Sequence, residues 1–293
     1  MGRRRVVVTG AAGYVAGRML PAFRERYDLT LLDITTRDRD GVEVPGIQVV
    51  DLTDRDRDRY RAFFRGADAV VHCAFVRAQS PEDRYWAERT NVDMAYNVYQ
   101  TALEEGVRRV VVCSSNHAAD YYERLIWRGR WDVVTPETRP LSDNFYGWAK
   151  ATYEHLGFVF ATGAERGGRQ LENVQIRIGA PRETDIDACD ATDLQKLHRA
   201  LGAYLSVRDQ VQLFIRAIET EDIRDENGIP FLIVYGISGN SHRFWSIANA
   251  QRILGYAPED DSQVRFADKL FRILTAARAR QDAGDRPTAP GTP

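Results

Sequence analysis

TGAAGYVAGR, residues 9–18, follows the apolar run Val6-Val7-Val8. Three consecutive valines read as a strand buried on both faces, and glycines directly after it mark a backbone that something approaches closely. A tight strand-to-helix turn needs glycine where a Cβ would clash, and it points free helix N–H groups at an anion. Gly10 and Gly13 fit that role for a pyrophosphate, although a plain strand–helix connection fits the same glycines. Asp33 narrows the choice. It closes the next apolar run, 23 positions after Gly10, where a carboxylate hydrogen-bonds the ribose hydroxyls of an adenosine and repels a 2′-phosphate. That favours NAD over NADP, while Arg37 and Arg39 nearby offer charge for a 2′-phosphate. Asp51-Leu52 follows the third apolar run, placed either to bracket an adenine or to cap a helix.

Working outward, short apolar runs alternate with longer amphipathic stretches. Strands are expected over 5–9, 29–33, 47–50, 69–73, 109–113 and 174–178, with helices at about 13–27, 56–65, 82–105 and 145–162. This alternation predicts βαβ units and a parallel sheet covered on both faces, an α/β Rossmann-type doubly wound fold. Ser80-Pro81-Glu82-Asp83 is a helix start with Pro at its first position, and Ser206-Val207-Arg208-Asp209 opens another helix running to about 219. Gly106 and Gly255 fall where helices should stop. Pro21 predicts a kink or an exposed turn in the first helix. Beyond residue 180 the alternation weakens. Residues 180–205 read as irregular, followed by a helix, a strand over 231–236 and a helix near 246–254. The expected division is a dinucleotide-binding domain over 1–180, a smaller substrate lobe over 181–280 interleaved with the sheet edge, and a disordered tail over 281–293, rich in Pro, Gly and Asp.

A second constellation is YGWAK, residues 146–150. Tyr146 and Lys150 stand four apart, on one helix face, and an ammonium beside a phenol stabilises the phenolate. Upstream, VVVCSS (110–115) ends the fifth predicted strand in two hydroxyls. In an open parallel sheet ligands bind beyond the strand C-termini, which brings Ser115 towards Tyr146 and towards a cofactor resting on Gly10 and Gly13.

Composition removes other classes. Among 293 residues, Lys+Arg 40 against Asp+Glu 42 leaves a net charge of −2, with no general pull towards nucleic acid or anionic membrane. No apolar run is long enough to span a bilayer. Arg3-Arg4-Arg5 is followed by too few apolar residues for a signal peptide, and Val6 breaks the myristoylation pattern that Met1-Gly2 begins. Cys73, Cys113 and Cys189 lack metal spacing and read as reduced thiols of a cytoplasmic protein. The five histidines are scattered, so no metal is expected.

Together, TGAAGYV, Asp33, DLTD (51–54), VHCAF (71–75), Asn91-Val92, VVCSSN (111–116) and YGWAK resemble the extended short-chain dehydrogenase/reductase superfamily, which includes nucleotide-sugar epimerases and dehydratases. The resemblance implies NAD as cofactor and Ser115, Tyr146 and Lys150 as catalytic residues. It implies cofactor contacts at Gly10, Ala12, Gly13, Tyr14, Val15, Asp33, Ile34, Asp51, Leu52, Cys73, Ala74, Phe75, Asn91, Ser114, Tyr146, Lys150 and Ile178. Ala16 departs from the family's third glycine, at a position where alanine is accepted. Tyr96, Tyr99, Phe158 and Phe160 lie on helices that pair across dimers in this superfamily, or belong to the monomer core. A homodimer or higher homo-oligomer is the expectation.

Within the superfamily, SSNHAADYY (114–122), IRIG (176–179), YLSVRDQVQLF (204–214) and VYGISGNSHRFW (234–245) are similar to uronate dehydrogenases, which oxidise C1 of a cyclic hexuronic acid to a lactone. The likeness implies that Ser115, Asn116 and His117 contact the sugar and that Arg177 pairs with its carboxylate. His117 also suits a loop cap, and Arg177 a structural ion pair. The segment 123–145, with Trp127, Arg128, Arg130 and Trp131, and the segment after Gly179 are longer than in that family, and Arg77 replaces a small polar residue. These departures admit a different sugar, phosphorylated ones included. The rival readings are an epimerase or dehydratase that recycles bound NAD, and a non-catalytic NAD-sensing protein.

Overall fold

The computed structural model describes residues 2–282 and 284. Its centre is a parallel sheet of β1 (Arg5–Thr9), β2 (Asp28–Asp33), β3 (Ile47–Val49), β4 (Ala69–His72), β5 (Arg109–Ser115), β6 (Glu172–Ile178) and β7 (Phe231–Gly236), in the order β3-β2-β1-β4-β5-β6-β7. Chain order reverses between β1 and β4, and that reversal opens a crevice above the strand C-termini. The register is tight at the centre: Val8 lies opposite Leu31 on one side and Val71 on the other. The valines of β1, β4 and β5 are fully buried because both faces of the sheet are covered.

One face carries α1 (Tyr14–Arg26), the other α2 (Arg84–Glu104) and, after the short α3 (Glu123–Trp127), α4 (Phe145–Thr162). α1 runs through Pro21, which faces solvent, so the missing N–H is tolerated without ending the helix. Ala16 is fully buried where α1 meets the sheet, so the absent third glycine is made good by a small side chain. The helix expected over 56–65 is instead two 3-10 turns, Arg57–Arg59 and Arg61–Phe63. Tyr60 between them leaves helical geometry (φ −136°) to bury its ring and donate to the Asp54 carbonyl at 3.0 Å.

Beyond β6 come α5 (Thr184–Asp187), α6 (Leu194–Ala203), α7 (Val207–Glu219), α8 (Ser262–Arg265) and α9 (Ala267–Asp282). The segment read as irregular thus holds α6. Asp193 caps it, accepting from the Lys196 N–H at 2.8 Å, and Leu197, Ala200 and Leu201 form its buried stripe. β7 pairs with β6 in the main sheet, and α7 packs beside α1, where Gln210 donates to the Val15 carbonyl at 2.8 Å. A separate small core of Ile186, Cys189, Leu197, Leu201, Tyr204 and Ile273 ties α5 and α6 to α9. The helix expected near 246–254 ends in a π-turn over Ala250–Leu254. The tail expected from 281 lies outside the described residues, apart from the end of α9 and Gly284.

Candidate active site

A cleft of about 1440 Å3 runs along the C-terminal edge of the sheet. At its centre Gly10 has φ +67°, a left-handed conformation, and a Cβ on it would lie 2.5 Å from the Ala74 nitrogen. The backbone after β4 therefore packs flush against the turn. α1 starts at Tyr14 behind Gly13, which offers no side chain to cap it. The first-turn N–H groups and the positive end of the helix dipole are left for an anion. Asp33 closes the turn from the side: its carboxylate accepts from the Ala12 N–H at 2.9 Å and the Ile34 N–H at 2.7 Å. Each oxygen keeps a second lone pair for a ribose hydroxyl. Tyr14, Val15, Ile34, Asp51, Leu52, Cys73, Ala74, Phe75 and Ile178 all line the same cleft. Asp51 is held by its own Asx turn, accepting from Thr53 N–H and Oγ1 at 2.9 and 2.7 Å.

Asn91 is the exception among the expected cofactor contacts. It is buried beneath the cleft and grips Val76 by both backbone groups, Oδ1 accepting at 2.7 Å and Nδ2 donating at 2.9 Å. It shapes the loop after β4 instead of lining the cleft.

On the other side of the cleft stand Ser115, Tyr146 and Lys150. Asn144 caps α4, its Oδ1 accepting from the Gly147 N–H at 2.9 Å, and Gly147 lets α4 lie directly against the His117 carbonyl. Tyr146 is thereby wedged between Phe75 and His117, with ring centroids 5.6 and 5.5 Å away, both edge-on. Lys150, one turn along α4, is buried and donates to the Cys113 carbonyl at 2.9 Å, with its ammonium 5.3 Å from the Tyr146 ring centroid. Burial alone would push its pKa down, but the phenols of Tyr153 and Tyr146 raise it, so the ammonium stays charged. Ser115 ends β5 with its hydroxyl accepting from the His117 N–H at 3.2 Å and facing the cleft. Ser114 lines the cleft too, but its hydroxyl donates inward to Glu154 at 2.6 Å.

Asn116 and His117 also face the cleft. The Asn116 amide Nδ2 is buried and has no hydrogen-bond partner among the described residues. His117 Nδ1 lies 2.8 Å from the Asp120 carboxylate, an acceptor, and its Nε2 lies 3.4 Å from an Arg199 guanidinium nitrogen, which can only donate; this arrangement favours the tautomer with the proton on Nδ1. Burial opposes charge on Asp120, yet hydrogen bonds from His117, Ser142 and Asn144 hold its carboxyl below the ordinary range.

Arg177 corrects the sequence reading. It is fully buried, and its guanidinium forms a fork with Glu154 of α4, both nitrogens donating at 2.8 Å, while its third arm donates to Tyr235 at 3.0 Å. It does not line the cleft. The structural ion pair, not a substrate clamp, is what the geometry provides. β6 lies between β5 and β7, and its alternation turns Arg177 onto the α4 face, away from the cleft. The arginines that do reach the cleft are Arg77, Arg84, Arg182 and Arg199, besides Arg37 and Arg39. Arg182 and Arg199 were missed because they arrive on the segment after β6, which folds back across the site. Tyr146-x3-Lys150-x3-Glu154 on one helix face was the available signal for the true partner of Arg177.

The doubly wound sheet, the glycine turn and the Tyr/Lys pair define a dinucleotide-binding enzyme. Comparison with known proteins sharpens that class: the NAD dependent epimerase/dehydratase family matches residues 6–163, and the chain belongs to it. An NAD-dependent glucose-6-phosphate dehydrogenase of Haloferax volcanii is 30% identical over 268 residues, 88% of this chain and 94% of that protein. An L-arabinose 1-dehydrogenase (NAD(P)+) of the same organism is 32% identical over 273 residues, 88% of this chain and 97% of that one. A mutated uronate dehydrogenase of known structure superposes with a TM-score of 0.71 at 26% identity, covering 94% of this chain and 86% of that one. The chain is an oxidoreductase of this family with NAD as its cofactor. The open end of α1, the Cβ-free approach at Gly10 and the carboxylate of Asp33 fit that cofactor. Among the described residues no helix is long and apolar enough to cross a membrane, and no His/Cys/Asp/Glu group could hold a metal.

Proposed function

We propose that the enzyme oxidises the anomeric hydroxyl of a cyclic sugar or sugar acid to a lactone, with Tyr146 as general base. The observation that carries this reading is the convergence of Ser115, Tyr146 and Lys150 on the cleft that also holds the Gly10 turn. NAD, when bound, supplies the hydride acceptor. The Gly10–Gly13 turn and the first turn of α1 hold its pyrophosphate, and Asp33 its adenosine ribose. Tyr146 takes the hydroxyl proton, and the charged Lys150 stabilises the phenolate. Ser115 donates to the substrate oxygen as negative charge grows on it. Asn116 and His117 contact ring hydroxyls. An anionic substituent on the sugar is held by Arg199 and Arg182 at the cleft wall, in place of Arg177. Arg199 is steered there by Glu123, which accepts from it at 2.8 Å. We also infer a homodimer through α2 and α4, where Tyr96 and Phe158 are exposed while Tyr99 and Phe160 are core.

The test is a spectrophotometric panel of uronates, neutral aldoses and aldose phosphates with NAD and with NADP. NADH formed with one of these classes supports the reading. If protein that binds NAD forms no NADH with any of them, the lactone-forming reading is wrong and internal recycling of the cofactor takes its place.

A further inference from the structure

Two thiols meet on the floor of the cleft. Cys73 follows β4 and Cys113 lies near the end of β5, one step beyond the paired residues His72 and Val112. They are neighbours across parallel strands on the same face of the sheet. Their sulfurs are 2.8 Å apart, both side chains are half-buried, and both line the cleft. Strands in one sheet lie about 4.8 Å apart, inside the Cα separation that a disulfide spans. Cys189 is far from them in the small core with Ile186 and Leu197.

Each cysteine is also joined to one half of the site. The Cys73 N–H donates to the Thr9 carbonyl at 3.1 Å, and the Cys73–Ala74 backbone is the surface on which Gly10 packs. The Cys113 carbonyl accepts the Lys150 ammonium at 2.9 Å. A covalent link between the two sulfurs therefore acts on the pyrophosphate turn and on Lys150 together, at the point where the cofactor must lie.

We propose that Cys73 and Cys113 form an oxidisable pair that closes to a disulfide when the cleft is empty and shuts the site, and that bound NAD shields it. The oxidant is hydrogen peroxide. It takes Cys113 to the sulfenic acid, releasing water. The Cys73 sulfur then attacks that sulfur, the S–S bond forms, the S–O bond breaks, and hydroxide leaves with the Cys73 proton as a second water. Contact with Cys113, then burial, raises the Cys73 pKa, so it keeps its proton until that step. A dithiol reverses the link by exchange. The shielding clause rests on the NAD site argued above; the cross-link itself does not.

The test treats NAD-free protein with hydrogen peroxide, then uses intact mass and non-reducing peptide mapping. The expected result is a loss of 2 Da, a single Cys73–Cys113 cross-linked peptide with Cys189 free, and at least a roughly tenfold loss of NAD affinity restored by dithiothreitol. Saturating NAD should slow the cross-link by a similar factor, while calorimetry on the reduced protein checks cofactor binding separately. Cys73→Ala and Cys113→Ala should each abolish the cross-link. After peroxide each should keep the NAD affinity it had before treatment, whatever that value is. Oxidation without the cross-linked peptide, a cross-link through Cys189, or a cross-link that forms equally fast under saturating NAD in protein shown to bind NAD, overturns the proposal.

Discussion

Replacing Glu154 by Gln tests the reassignment of Arg177 directly. Glu154 is 2% exposed and Arg177 fully buried; the carboxylate takes two guanidinium N–H bonds at 2.8 Å and the Ser114 hydroxyl at 2.6 Å. Neutralising it leaves a buried cation whose remaining side-chain partner is Tyr235. Breaking a buried pair by removing one member costs about 3–5 kcal/mol. Unfolding entropy of roughly 2.1 cal/mol/K per residue, over a chain of this length, makes each kcal/mol worth about 1.6 °C. Glu154→Gln should then lower the melting temperature by about 5–8 °C and shift the urea midpoint without changing its slope. Replacing both members, Glu154→Leu with Arg177→Met, should recover most of the loss, because the uncompensated charge is gone. Thermal and urea unfolding followed by circular dichroism measure both. A Glu154→Gln protein as stable as wild type but with a substrate KM raised tenfold or more would refute the argument and return Arg177 to the substrate.

Three further outcomes follow from the same contacts. Gly10→Ala must place a Cβ 2.5 Å from the Ala74 nitrogen at φ +67°, so its Kd for NAD should rise at least about tenfold by calorimetry while the fold persists by circular dichroism. Asp33→Ala removes the acceptor for Ala12 and Ile34 and the barrier to a 2′-phosphate; kcat/KM for NAD should fall and the NAD over NADP preference shrink by roughly tenfold or more in steady-state kinetics. His72 is buried against Thr9, and burial, then Lys150, pushes its pKa down to about 3. The unfolded chain takes up that proton near pH 6.5 and the native protein does not, so this stability is present above pH 6.5 and is lost as pH falls towards 3. Between pH 7 and 5 the loss is about 2 kcal/mol, and urea titrations of His72→Gln should lack that share of the pH dependence.

The parts of the fold legible in the sequence are those governed by local rules. Val6-Val7-Val8, the Gly10 turn, Asp33 and the Tyr146/Lys150 spacing each announce their place, because buried parallel strands and left-handed turns restrict residue type strongly. The stretch 56–65 reads as a helix, but the cost of leaving Tyr60 exposed prevails over helical continuity. α6 was hidden because its stripe of Leu197 and Leu201 sits in a polar stretch and finds its partner, Ile273, only through the tertiary fold. Arg177 shows the limit of motif transfer. Its position was right, on the strand beside the site, but strand alternation, which a motif does not encode, turned it to Glu154. Ser115 and Asn116 line the cleft, while Asn91 serves one layer further back.

The most direct test of the account is the rate of NADH formation by Tyr146→Phe with the sugar that the wild type oxidises, measured beside its NAD affinity. The variant keeps the ring between Phe75 and His117 and loses only the hydroxyl. The kcat should fall by at least about a hundredfold, with Kd for NAD within a few-fold of wild type. A variant that binds NAD and still turns over at more than a tenth of the wild-type rate would contradict it, and the base would have to be sought elsewhere in the cleft.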